Sequence, residues 1–144
     1  MNKKKQNIEI ALPDTSSKLS LPLAEGIIAG FPSPAQDYID LKIDLNKELI
    51  NNPNSTFYGR VVGNSMIDAG IDEGDVLIID KSITPQNNQI AICFLDGEFT
   101  VKRISIDKNE CFLIPANKDY PCIKVTAENE FVVWGIVTYI IKKM

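Results

Sequence analysis

Two residues of this chain have the types and spacing of a nucleophile and its base. Ser65 lies in the segment Gly63-Asn64-Ser65-Met66, and Lys102 follows it by 37 residues within an apolar segment. A serine hydroxyl is a weak nucleophile until a neighbouring base takes its proton. The chain has no histidine, so the candidate bases are a carboxylate or a lysine whose pKa is lowered by burial. We therefore predict a catalytic pair of Ser65 and Lys102.

Lys102 is followed by Arg103, and only one of the two can enter a buried site, because successive strand residues point to opposite faces. Both faces of this segment are partly apolar, so alternation does not choose between them. Arginine stays protonated in proteins, whereas a desolvated lysine can accept a proton near neutral pH. We expect Lys102 in the site and Arg103 on the outer face or in a salt bridge. The competing interpretation is a lysine that snorkels from a strand edge.

Ser65 lies in a segment that contains Gly63, Gly70 and Gly74. Serines in such turns most often satisfy local backbone groups. After a predicted strand, however, the same kind of loop can direct backbone amides at a developing oxyanion. We predict that the amides of Ser65 and Asn64 form that oxyanion hole.

The composition is typical of one globular domain, with 44% hydrophobic and 24% charged residues. A net charge of -4 provides no basic field for a nucleic acid backbone. No apolar run reaches the roughly 18 residues of a membrane span, and the N-terminus lacks the apolar region of a signal peptide. We therefore expect a cytoplasmic protein.

The three cysteines are widely spaced and form no CxxC motif. Their odd number and spacing fit neither a disulfide framework nor a zinc site. Without histidine, Ser-His-Asp and Cys-His catalysis within one chain are excluded, and transition metals lose a preferred ligand. We predict no metal, no cofactor and cysteines that act as small buried hydrophobic residues.

The chain divides into two parts by composition. Residues 1–29 carry lysines, prolines and serines and are predicted to form a flexible arm, while residues 30–144 form the domain. Ser33, Pro34 and Gln36 indicate a helix start, with one or two short helices within 34–50. From Phe57 onward the pattern is strands and turns.

The predicted fold is mainly β. The predicted strands cover residues 57–62, 76–80, 89–95, 98–106, 111–114, 123–126 and 131–141. Asp96-Gly97 predicts a two-residue hairpin turn that places Lys102 on the second arm of the hairpin. Phe131, Val133 and Trp134 are expected to face the core or a dimer interface.

Together these motifs resemble the LexA/UmuD family of self-cleaving serine peptidases. The segments that carry the resemblance are Gly63-Asn64-Ser65-Met66-Ile67-Asp68, Gly70-Ile71, Gly74-Asp75 and Glu98-Phe99-Thr100-Val101-Lys102. Phe31-Pro32-Ser33-Pro34-Ala35, Ile43-Asp44-Leu45-Asn46 and Asp96-Gly97 are similar to the UmuD branch in particular. The resemblance covers most of the chain and implies curved antiparallel sheets.

The resemblance also implies one self-cleavage between a small residue and a glycine, which places the cut at Ala29-Gly30. A small alanine suits a cramped pocket, and glycine lets the backbone approach the nucleophile closely. Ile27 and Ile28 could add an extended strand beside the site. A second Ala-Gly pair, Ala69-Gly70, is expected to be shielded. Without Ser65 and Lys102, Ala29-Gly30 would be better interpreted as an ordinary flexible linker.

The UmuD branch further implies partners and a role in the SOS response to DNA damage. The expected assembly is a homodimer whose cleavage is stimulated by RecA filaments on single-stranded DNA. The trimmed form is then expected to serve an error-prone translesion polymerase with a UmuC-like partner. Only 29 residues precede the expected cut, without a helix-turn-helix pattern, so we expect no sequence-specific DNA binding.

Three other functions stay open at this point. Ser65-Met66 and Lys102-Arg103 also resemble signal peptidases, although the sequence has no apolar segment that could serve as an anchor. A non-catalytic polymerase-binding subunit with a vestigial site would retain the same motifs. A LexA-family regulator that lacks its DNA-binding domain is the third alternative.

Overall fold

The computed structural model describes residues 9–13, 20–22 and 42–144. The predicted helix start at Ser33 and the predicted cut at Ala29-Gly30 lie outside the described residues. The strands are β1 (Glu9–Ala11), β2 (Ser20–Pro22), β3 (Lys42–Asp44), β4 (Thr56–Arg60), β5 (Val76–Asp80), β6 (Ile90–Leu95), β7 (Glu98–Asp107), β8 (Glu110–Ile114), β9 (Ile123–Val125) and β10 (Phe131–Ile141). All the strands predicted from Phe57 onward are present, and each end lies within two residues of its predicted position.

Within the described residues, most strands form one curved antiparallel sheet. Its order is β1-β4-β5-β10-β6-β7-β8-β9, and β2 pairs with β3 in a separate two-stranded sheet. The mainly β prediction is therefore confirmed. The long strand β10 pairs with β6 along its first half and with β5 along its second half, and its register shifts in both pairings. Such bulges bend a strand, and here they contribute to the curvature of the sheet.

Both faces of the central strands are buried. In β6, Ile92 packs in a first apolar cluster, whereas Ala91 and Cys93 pack in a second cluster on the opposite face. The first cluster is Val61, Met66, Ile71, Leu77, Ile79, Ile92 and Val101, and the second is Ala91, Cys93, Ile104, Leu113 and Ile136. Burial on both sides explains why hydrophobic alternation alone could not say which face of β7 is inside.

The β6–β7 hairpin fixes the position of Lys102 along the sheet. Asp96 and Gly97 have φ values of 49° and 86°, as a type I′ turn requires at both central positions. This confirms the hairpin prediction. The register pairs Lys102 with Ala91 and Thr100 with Cys93, so all four residues lie on the face of the second cluster.

The helical content of the described residues is small. The helix α1 (Leu45–Leu49) begins where the carboxylate of Asp44 accepts a hydrogen bond from the amide of Asn46 at 3.0 Å, a typical N-cap. Two 3₁₀ turns cover Pro53–Ser55 and Ile67–Ala69. In the ranges that the structure describes, no helix has both the length and the apolar character needed to cross a membrane.

Two pieces of the predicted arm take part in sheets. Ile10 of β1 pairs with Gly59 of β4 at one edge of the large sheet. Pro22 of β2 pairs with Lys42 of β3, so the intervening segment, residues 23–41, begins and ends at one pair of neighbouring residues. A domain boundary between residues 29 and 30 stays a prediction.

The aromatic and cysteine predictions have a mixed outcome. Trp134 is half-buried against Phe57 and Phe99, at centroid distances of 4.8 and 5.5 Å, and packs on the first cluster. Cys93 is buried, but Cys122 is exposed. The prediction of buried cysteines is therefore wrong for Cys122, which precedes β9, an edge strand of the sheet in the described part of the chain.

Candidate active site

The fold brings together the two residues that the sequence paired. Ser65 Oγ and Lys102 Nζ lie 3.0 Å apart. Ser65 follows β4 in the loop that leads to β5, and Lys102 lies in the middle of β7. Both residues are buried, with 5% and 4% of their surface exposed. A hydroxyl and an amine therefore share a hydrogen bond in an environment from which most water is excluded.

The amine of Lys102 is oriented by two further contacts. Its Nζ donates to the Thr100 hydroxyl at 2.8 Å and to the Val101 carbonyl oxygen at 3.0 Å. Thr100 shares the face of Lys102 because the two are two residues apart on one strand. Sequence reasoning missed Thr100, although a hydroxyl two residues from a candidate base was the available signal. Arg103 instead donates to the carbonyl oxygen of Asn88 at 2.6 Å.

Burial lowers the pKa of Lys102 from 10.5 to about 8, because an ammonium group loses its hydration in the interior. The neighbouring thiol of Cys93 would raise this pKa only as a thiolate. Burial raises the pKa of Cys93 to about 12, so this thiol carries no charge near pH 8. A large fraction of Lys102 is therefore neutral at mildly alkaline pH and can accept a proton.

Ser65 lies in an irregular loop, residues 61–75, here termed the Ser65 loop. Gly63, Gly70 and Gly74 all have φ between 77° and 91°, a region that residues with a side chain rarely adopt. The loop is anchored on both sides of its exposed 3₁₀ turn, since Met66 is 2% exposed and Ile71 is fully buried in the first cluster. The glycines permit the turns, and the two apolar side chains hold the loop against the core.

A second loop, residues 115–122 between β8 and β9, holds the Ser65 loop by hydrogen bonds. The amide of Ala116 donates to the carbonyl oxygen of Ser65 at 2.8 Å. The side chain of Asn117 donates to the carbonyl oxygen of Asn64 at 2.9 Å, and the Tyr120 hydroxyl donates to the side-chain oxygen of Asn64 at 2.6 Å. Sequence reasoning assigned no role to these residues.

The far end of the Ser65 loop is held by the C-terminal segment. Lys142, just after β10, donates to the carboxylates of Asp72 and Asp75 at 2.6 and 2.5 Å. Hydrogen bonds to both carboxylates raise the pKa of Lys142. The carboxylate of Asp75 also accepts from the amide of Asp72 at 2.8 Å. These bonds fix the loop where it enters β5.

The predicted oxyanion donors are the backbone amides of Ser65 and of the residue before it, Asn64. Within the described part of the chain, the backbone amides of Asn64 and Ser65 donate no hydrogen bond. An amide without an acceptor beside a nucleophile is suited to stabilise negative charge on a substrate oxygen.

The second Ala-Gly pair departs from its prediction. Gly70 is exposed and Ala69 is half-buried, so the prediction that this pair is shielded is wrong. The pair closes a 3₁₀ turn, in which the amide of Gly70 donates to the carbonyl oxygen of Ile67 at 3.0 Å. Ala69 packs against the first cluster, whereas Gly70, which has no side chain, stays at the surface.

Comparison with known proteins places the chain in a defined family. Residues 22–138 match the family model described as Peptidase S24-like. The chain belongs to this family of self-cleaving serine peptidases. It is 42% identical to protein MucA of Salmonella typhimurium over 114 residues, which cover 78% of this chain and 77% of MucA.

Two further relatives sharpen the assignment within the family. The chain is 42% identical to protein SamA of Salmonella typhimurium over 115 residues, 80% of this chain and 79% of SamA. It is 36% identical to the LexA repressor of Delftia acidovorans over 124 residues, 86% of this chain and 55% of the repressor. MucA and SamA are UmuD-like proteins, and the similarity to them extends over most of the chain.

Proposed function

We propose that this protein is an SOS-response peptidase that cuts its own Ala29-Gly30 bond, with Ser65 as nucleophile and Lys102 as general base. The observation that carries the proposal is the 3.0 Å contact between Ser65 Oγ and Lys102 Nζ inside a buried site. Burial also lowers the pKa of Lys102 to about 8, which suits a base near neutral pH. Membership of the S24-like family supports the same reaction.

In the proposed reaction, neutral Lys102 takes the proton of the Ser65 hydroxyl as Oγ attacks the carbonyl carbon of Ala29. The amides of Ser65 and Asn64 stabilise the oxygen that becomes negative. Protonated Lys102 then gives its proton to the amine of Gly30 as the peptide bond breaks. Water releases the acyl group from Ser65, with Lys102 again acting as base. Throughout, the Thr100 hydroxyl keeps the amine directed at Ser65.

The substrate segment is part of the same polypeptide. Residues 23–41 contain Ala29-Gly30, and the residues on either side of this segment, Pro22 and Lys42, are paired. A tethered substrate replaces a bimolecular encounter with an intramolecular one, which raises its effective concentration. Ser65 and Lys102 would perform the same reaction whether the segment enters the site of its own protomer or that of a partner protomer.

The proposed partners follow from the similarity to UmuD-like relatives. A homodimer is proposed, and exposed apolar residues at the end of β10, namely Tyr139, Ile140 and Ile141, support contact with another protein surface. A RecA filament on single-stranded DNA is proposed to favour an arm conformation that brings Ala29-Gly30 to Ser65. The trimmed protein then joins a UmuC-like translesion polymerase, without sequence-specific DNA contacts of its own.

The proposal is tested by incubating the purified protein at mildly alkaline pH and measuring the intact mass of the products. We expect two fragments, residues 1–29 and residues 30–144. Ala29→Trp should block the cut because the larger side chain overfills the pocket, whereas Ala35→Trp, the same change away from the bond, should leave it intact. A cut at another bond, or an uncut wild type, would contradict the proposal.

The same assay separates the alternatives. A polymerase-binding subunit with a vestigial site would stay uncut at every pH, with or without RecA, single-stranded DNA and nucleotide. A signal peptidase would cut added substrates and show no response to the filament. A LexA-family regulator would be cut and respond to the filament, but would fail to bind a UmuC-like polymerase in a pull-down experiment.

A further inference from the structure

The peptide group between Asn64 and Ser65 is held on one side by a side chain from another loop. Its carbonyl oxygen accepts a hydrogen bond from Asn117 Nδ2 at 2.9 Å and a longer one from the Ile67 amide at 3.3 Å. Its N–H, which belongs to Ser65, donates no hydrogen bond within the described part of the chain. The carbonyl oxygen of this peptide is therefore fixed by hydrogen bonds, and its N–H is available to donate to a substrate.

A peptide group is planar and trans, so its C=O and N–H point in opposite directions. Anchoring the carbonyl oxygen of Asn64 consequently sets the direction of the Ser65 N–H. A hydrogen bond to the carbonyl also polarises the group, which makes the N–H a better donor. The next peptide is held in the same way, because the carbonyl oxygen of Ser65 accepts from the Ala116 amide at 2.8 Å.

Tyr120 restrains the same residue by a second route. Its hydroxyl donates to the Asn64 side-chain oxygen at 2.6 Å, and Asn117 Oδ1 accepts from the amide of Asp119 at 2.9 Å. The Asn117 side chain is thus locked by its own turn while it holds Asn64. The backbone and side chain of Asn64 are both tied to residues 115–122.

We propose that Asn117 and Tyr120 are positioning residues that aim the Ser65 amide at the oxyanion. The inference rests on the self-cleavage proposed above. Neither residue touches the reacting atoms. Both act through Asn64, and this arrangement assigns the loop between β8 and β9 a role in the rate of acylation.

Two variants test the inference. Asn117→Asp keeps an oxygen that can accept from the Asp119 amide but removes the donor to Asn64, and Tyr120→Phe removes a single hydroxyl. Lys118→Gln, at an exposed position in the same loop, is the matched control. For each protein we would measure first-order self-cleavage from pH 6 to 10, labelling of Ser65 by a fluorophosphonate, and thermal unfolding.

Loss of an oxyanion donor costs about 100-fold to 1000-fold in rate, so misdirecting one should cost less, about tenfold for Asn117→Asp and about threefold for Tyr120→Phe. Fluorophosphonate labelling should fall in parallel, because that reagent uses the same hole without the arm. The pH midpoint of Tyr120→Phe should not move, because this substitution introduces no charged group. Lys118→Gln should match the wild type.

Unchanged rates in both variants would overturn the inference. So would a shifted pH midpoint in Tyr120→Phe, which would indicate an effect on Lys102, or normal labelling with slow cleavage, which would indicate an effect on arm docking. If Asn117→Asp unfolds at a lower temperature, Tyr120→Phe decides alone. If the wild type stays uncut or Ser65→Ala is still cut, the proposed function fails and the inference falls with it.

Discussion

The base and the nucleophile of the candidate site are held by different kinds of structure. Lys102 lies in the middle of a regular hairpin, where its position follows from the register of β6 and β7. Ser65 lies in an irregular loop, held by buried neighbours, by residues 115–122 and by Lys142 near the C-terminus. The hairpin is a local structure, whereas the Ser65 loop depends on residues from three distant parts of the chain.

This difference indicates where mutations should act. A strand pairing distributes its restraints over many hydrogen bonds, so a change near the hairpin tip should leave Lys102 in place. The Ser65 loop has few restraints, each supplied by a named side chain or turn, so the loss of one should displace the nucleophile. Among the residues that surround the two reacting groups, those on the Ser65 side should therefore slow cleavage most when they are mutated.

The largest effect should come from removing either reacting group. Ser65→Ala and Lys102→Ala should each reduce self-cleavage by at least about a thousandfold, because nucleophile and base act as a unit. Lys102→Arg should be equally inactive, since a guanidinium cannot accept the proton. Arg103→Ala is the control, because Arg103 lies on the other face of β7, and it should still cleave. First-order rates read on gels measure this, and appreciable cleavage by Lys102→Arg would remove Lys102 as the base.

The pH dependence of the cleavage rate should reflect the protonation of Lys102, which lies on the hairpin side of the site. Because neutral Lys102 is the active form and its pKa is about 8, cleavage should rise about tenfold per pH unit below pH 8 and level off above it. Cys93, the neighbouring titratable group, has a pKa of about 12 and should not contribute. A RecA filament should accelerate cleavage most at neutral pH. A flat profile without RecA would contradict the neutral-lysine mechanism.

The buried lysine should also lower the stability of the protein. Its folded pKa of about 8 lies below the ordinary 10.5, so the unfolded state binds more protons between these values and stability rises with pH across that window. Lys102→Met should therefore be more stable than the wild type by about 3 kcal/mol at pH 7 and by less than about 1 kcal/mol at pH 10. Urea unfolding at both pH values measures the difference, with Lys118→Met as an exposed control. An equal gain at the two pH values would show that the charge is not the cause.

The smallest expected effect comes from substituting one glycine in the Ser65 loop and one in the hairpin. Gly70 and Gly97 have φ of 77° and 86°, and an added Cβ would meet nothing within 4 Å at either position. Alanine at either site should cost about 1 kcal/mol of unfolding free energy from the left-handed backbone alone. Only Gly70→Ala should also slow cleavage, by several-fold, because it lies in the Ser65 loop. Equal rates in the two variants would show that the loop is as well restrained as the hairpin.

Much of the fold could be predicted because its signals are local. Alternating and continuous apolar runs predicted every strand from Phe57 onward, and Asp96-Gly97 predicted a turn whose φ values are both positive. The exposure of Cys122 and Gly70 could not be predicted in this way. Exposure depends on which strand or loop covers a residue, and that is a property of the sheet order.

By itself the sequence determined the chemistry that is possible. The absence of histidine leaves lysine as the candidate amine base for Ser65, and the difference between lysine and arginine favours Lys102 over Arg103. Only the tertiary structure decided the distance between the two groups, the burial that lowers the Lys102 pKa, and the contacts of Thr100, Asn117 and Tyr120. These properties require residues far apart in the chain to meet, and no local periodicity encodes such a meeting.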